Sequence, residues 1–129
     1  MHIDTIQRYY QARGLQWPSH KEALWFFLSE VGELAEAYLA QHRQSLSQEE
    51  ISLLEAFVRK GLRADLIVSR VEGWVRNNDR AGKTHVNKEA ADCEMMLTVF
   101  LFSLAETTPD EALLVKMREK LGDQAGLLE

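Results

Sequence analysis

The chain is poor in cysteine, in proline and in positive charge, and each shortage excludes something. Cys93 is the only cysteine, so neither an intrachain disulfide framework nor a cysteine-rich zinc site can form, and a reducing cytoplasm suits the chain. Fifteen basic residues against twenty acidic give a net charge of −5, which disfavours a surface that follows a nucleic-acid backbone. Small phosphorylated ligands bridged by a metal stay allowed. No apolar run approaches the roughly 18 residues that span a bilayer, and residues 1–10 have neither the basic start nor the apolar stretch of a secretory signal. A soluble cytoplasmic protein that binds neither membrane nor nucleic acid is the expectation. The two prolines, Pro18 and Pro109, both stand where a helix can begin, so no helix is interrupted by one.

What is present is ordinary for a globule: 129 residues, 46% apolar and 27% charged, one domain's worth over 1–129 and enough to bury a core. The pattern reads as all-α. A first helix over 3–12 ends at Arg13-Gly14. A second follows Ser19, with Glu22 completing a capping box, and runs to about residue 41. Its apolar positions Leu24, Phe27, Leu28, Val31, Leu34, Ala35, Tyr38 and Leu39 keep three-and-four spacing, and Gly32 within it implies a packing or ligand requirement. Ser47 and Glu50 repeat the capping signature for a third helix to Lys60, closed by Gly61, with another from 64 to 75. Polar residues 76–83 read as a loop. A helix over 87–106 becomes apolar nearly all round between Met95 and Leu104, which requires cover from the bundle or from a second subunit. The last helix starts at Thr108-Pro109 and stops at Gly122.

Two acidic doublets stand out on these helices, Glu30-Val31-Gly32-Glu33 and Glu89-Ala90-Ala91-Asp92. Three residues turn a helix by about 300°, so both carboxylates of a doublet share one face. Those faces are otherwise apolar, and four carboxylates gathered there would repel unless a cation sat among them. Magnesium, a hard ion that takes oxygen ligands and shares itself with phosphates, fits; manganese is a possible substitute. Hydrolysis of a nucleoside triphosphate would need, besides the metal, cations for the outer phosphates and a pocket for the base. Candidates are Trp17 and His20 before the first doublet, Arg76, Arg80 and Lys83 before the second, and Lys116, Arg118 and Lys120 on the last helix.

Glu30-Val31-Gly32-Glu33-Leu34-Ala35-Glu36-Ala37, followed by Glu89-Ala90-Ala91-Asp92, resembles the signature of the MazG-like all-α nucleoside triphosphate pyrophosphohydrolases. Trp17 and His20 upstream and the stretch from Pro109 to Met117 downstream add to the likeness. The resemblance implies a helical bundle that forms a homodimer or a dimer of dimers and cleaves a (deoxy)nucleoside triphosphate between the α and β phosphates, in nucleotide-pool house-cleaning. It implies Glu30, Glu33, Glu89 and Asp92 as magnesium ligands and catalytic carboxylates, and Trp17, His20, Lys83, Lys116 and Lys120 as substrate contacts.

The chain departs from that pattern at three places. Ser29 stands where many members have another glutamate, Lys120-Leu121-Gly122 replaces the usual end of the final helix, and the 55 residues between the doublets imply a helical insert over about 47–73. Two rival readings follow: a non-catalytic nucleotide or metal sensor on the same bundle, and a structural helical interaction module. Cys93 reads as an inert buried thiol, since nothing near it in sequence marks a nucleophile.

Overall fold

The computed structural model describes residues 3–68 and 85–129, and among them every regular element is helical. Five α-helices follow one another: α1 Ile3–Ala12, α2 His20–His42, α3 Gln48–Val68, α4 Val86–Ala105 and α5 Pro109–Leu121, with 3₁₀ turns at Arg43–Ser45 and Gly122–Leu128. The expected helix continuation to residue 75 and the loop 76–83, with Arg76, Arg80 and Lys83, lie outside the described residues.

Local chemistry sets the boundaries. Ser19 and Glu22 form a reciprocal capping box at the start of α2, and Ser47 and Glu50 do the same for α3, with bonds of 2.9 and 3.1 Å. Each satisfies backbone N–H groups that the first turn of a helix leaves without partners. At α5, Thr108 caps and Pro109 supplies a preset first turn. Gly14, at φ +64°, ends α1, and Glu106, at φ 52°, ends α4; the left-handed backbone there lets the chain reverse.

One expected boundary is wrong. Gly61 does not close a helix; α3 runs through it without a break to Val68. The physical reason lies across the bundle. A Cβ built on Gly61 would stand 2.7 Å from the Cα of Gly32, and a Cβ on Gly32 would meet the Cα of Gly61 at the same distance. The two glycines let the α2 and α3 backbones touch, which supplies the packing requirement implied by Gly32. The pairings Arg43 with Glu55, Gly32 with Gly61, and Ser29 with Asp65 run in opposite directions along the two helices. Helices α2 and α3 therefore form an antiparallel hairpin, and α3 is the described part of the segment expected as an insert.

The other face of α2 packs on α4, and α1 closes that end. Ile6 and Tyr10, four apart on α1, enter a core with Ala23, Phe26, Val68, Met96 and Val99. This is the apolar burial that stabilises such a bundle, about 25 cal/mol per Å² removed from water. Along α4, Met96, Thr98 and Val99 are buried, Met95, Leu97, Phe100, Leu101 and Phe102 are half-buried, and Leu104 is exposed. Helix α5 has no buried residue. No described helix is long and apolar enough to cross a membrane.

Candidate metal centre

Glu30 and Glu33 project from the middle of α2, and Glu89 from the first turn of α4. Packing of α2 on α4 brings them together: one carboxylate oxygen of each lies within 4.8 Å of the others. Glu33 is 3% exposed and Glu89 4%. At such separations two negative charges repel by on the order of 3 kcal/mol per pair at an effective dielectric constant near 20. A buried trio of this kind is relieved by protonation or by a cation. Oε2 of Glu30 and Oε2 of Glu89 are shielded from solvent and take no hydrogen bond, although both side chains engage other groups in the molecule. The donor set is all oxygen, which suits a hard divalent ion of the magnesium or manganese type rather than a thiolate-seeking one.

Asp92, expected as the fourth ligand, is not one of these three. The Cys93 thiol is pushed up to about 12, first by burial and then by the negative charges of Glu30, Asp92, Glu89 and Glu33. All four expected carboxylates thus impress one buried sulfur next to Asp92. The same field keeps Cys93 a protonated, inert thiol at neutral pH, as expected. The Tyr10 hydroxyl is likewise raised, by burial, by Tyr9 and by Glu30. It donates to the Met96 thioether at 3.6 Å.

Of the expected substrate contacts, Trp17, His20, Lys116 and Lys120 lie among the described residues. The Trp17 indole N–H donates to Ser103 Oγ at 3.0 Å, and its ring lies 4.9 Å from Tyr10 and 6.3 Å, edge-on, from Phe102. Trp17 therefore packs between the α1–α2 connection and α4 as part of the aromatic core. His20 is exposed at the first position of α2, and Lys116 and Lys120 are exposed on α5, whose main neighbours are α4 and the final 3₁₀ turn. Lys83 lies outside the described residues.

Sequence reasoning missed one polar contact beside the carboxylates. Ser29, 1% exposed, donates its hydroxyl hydrogen bond to Asp65 of α3. The only local signal was a serine on an otherwise apolar stripe. Along the outer face of the hairpin, Val31, Leu34, Ala35, Tyr38, Leu54 and Phe57 line an apolar groove. No protein-family model, no curated protein and no solved structure matches the chain.

Proposed function

We propose that the chain is a magnesium-dependent nucleoside triphosphate pyrophosphohydrolase of the MazG-like kind, which hydrolyses its substrate between the α and β phosphates to the monophosphate and pyrophosphate. The observation that carries this reading is the convergence of Glu30, Glu33 and Glu89 from two helices, with ligand oxygens within 4.8 Å and two of the three side chains buried. Asp92, whose charge reaches Cys93 together with those of the trio, would complete the four-carboxylate pattern of the resemblance. When bound, magnesium would neutralise the phosphate oxygens and make water a better nucleophile. The protein's own part is to hold Glu30, Glu33 and Glu89 in place on packed helices, so that little reorganisation is needed on binding. Cys93, protonated next to Asp92, offers no competing nucleophile.

The same proposal places the protein in the cytoplasm as a homodimer or dimer of dimers, with the groove of Val31, Leu34, Tyr38, Leu54 and Phe57 available to a second copy. Sedimentation velocity reads that state directly.

A panel of ribo- and deoxyribonucleoside triphosphates with magnesium, followed by product identification, tests the chemistry. Pyrophosphate with monophosphate is the expected outcome; orthophosphate with diphosphate refutes the bond assignment. The engagement of Trp17 with Ser103, Tyr10 and Phe102 favours a second reading, a non-catalytic nucleotide or metal sensor on the same bundle. Manganese binding with no turnover across the panel selects it.

A further inference from the structure

Helix α3 brings a carboxylate, Asp65, to the turn of α2 that carries the first doublet. Ser29 immediately precedes Glu30 and lies one turn before Glu33. At about 100° per residue, Gly32 sits about 60° to one side of Ser29 around α2 and Glu33 about 40° to the other. Gly32 faces α3 and Glu33 faces α4, so buried Ser29 stands at the seam between them. A Cβ on Gly61 would meet the Ser29 carbonyl oxygen at 3.4 Å, which places the α3 backbone against this turn. Asp65, one turn beyond Gly61, accepts the Ser29 hydroxyl hydrogen bond. It remains outside the trio whose ligand atoms lie within 4.8 Å of each other.

We propose that Asp65 is a positioning residue of the cation site: it sets the affinity for a divalent ion by its charge and by its hold on the Ser29 turn, without ligating the ion. This rests on the reading of Glu30, Glu33 and Glu89 as a metal centre. Carboxylates that stand behind ligands and fix their orientation typically change metal affinity by about 10- to 100-fold.

The substitution Asp65→Asn separates these roles, since the amide oxygen keeps the volume and still accepts from Ser29 while the charge is gone. Manganese affinity measured by calorimetry, without nucleotide, is expected to fall by about tenfold, while the metal-free variant keeps the helicity of the unaltered protein by circular dichroism. Unchanged manganese affinity in Asp65→Asn overturns the proposal. So does lost helicity by circular dichroism, because it marks Asp65 as a purely structural tether. If the unaltered protein takes up no manganese at millimolar concentration, the metal-centre reading itself fails and this inference with it. That outcome is distinct from binding by the unaltered protein that Asp65→Asn leaves intact.

Discussion

Gly32 and Gly61 meet face to face where α2 crosses α3, each so close that a Cβ on one would lie 2.7 Å from the Cα of the other. In a free helix, glycine to alanine stabilises by up to about 1 kcal/mol. Here the methyl group would strike backbone, which cannot rotate aside. Gly61→Ala is expected to destabilise by about 1–3 kcal/mol, the usual cost of overpacking. Urea unfolding checks it; a variant as stable as the parent would show that the helices do not touch there.

Glu33→Gln should act in two directions at once. It removes a buried negative charge from the trio, so the metal-free protein is expected to gain stability. It also replaces an anionic ligand by a neutral amide, so the rise in Tm on adding magnesium is expected to shrink or vanish, with loss of most activity on any nucleotide the parent hydrolyses. Thermal scans with and without magnesium, on both proteins, provide the check. A variant that magnesium stabilises as much as the parent would count against Glu33 as a ligand.

Cys93 and Tyr10 together predict an alkaline limit to stability. Both groups are raised in the folded state, so folding favours their protonated forms. Their contribution is fully present below the ordinary thiol range and is lost as pH climbs, for Cys93 between its ordinary value of 9.0 and about 12. Urea midpoints should fall steadily above pH 9 while changing little on this account between pH 7 and 8. In the same range an alkylating reagent should label Cys93 only after denaturant is added.

Trp17 is held by Ser103 and by two aromatic rings, and its removal should be felt as stability rather than as nucleotide affinity. Trp17→Phe is expected to cost about 1–2 kcal/mol from the lost hydrogen bond and contact area. Ser103→Ala should reproduce the hydrogen-bond part. A Trp17→Phe protein with parental stability but weakened nucleotide binding would return Trp17 to the substrate side.

The helices and the pairing of Glu30 with Glu33 were legible in the sequence because their signals are local, while Glu89 was joined to them through the second doublet and the resemblance. Ser19 with Glu22, Ser47 with Glu50, and Thr108 with Pro109 each act within one turn, and a Glu-x-x-Glu doublet places its own two members. Gly61 was misread because a glycine that ends a helix and a glycine that admits a neighbouring backbone look alike along the chain. Only its partner Gly32, 29 positions earlier, tells them apart. Asp65 was overlooked for the same reason: its bond to Ser29 spans 36 positions, and an acidic residue on an amphipathic helix is by default a solvated one. Asp92 entered the ligand set on the same three-residue spacing as Glu30 and Glu33 and is not in the trio whose oxygens lie within 4.8 Å; spacing along one helix does not fix how far each side chain reaches toward a neighbouring helix.

Helix α5 leaves every one of its side chains at least partly open to water, so its persistence rests on Thr108, Pro109, its own backbone ladder and shallow contacts with α4 and the final 3₁₀ turn. Thirteen residues with so little tertiary anchorage are marginal as an isolated helix. Its amide protons should therefore exchange with deuterium far ahead of those in α2 and α4, and limited proteolysis should trim the chain from its C-terminal end before it touches the carboxylates.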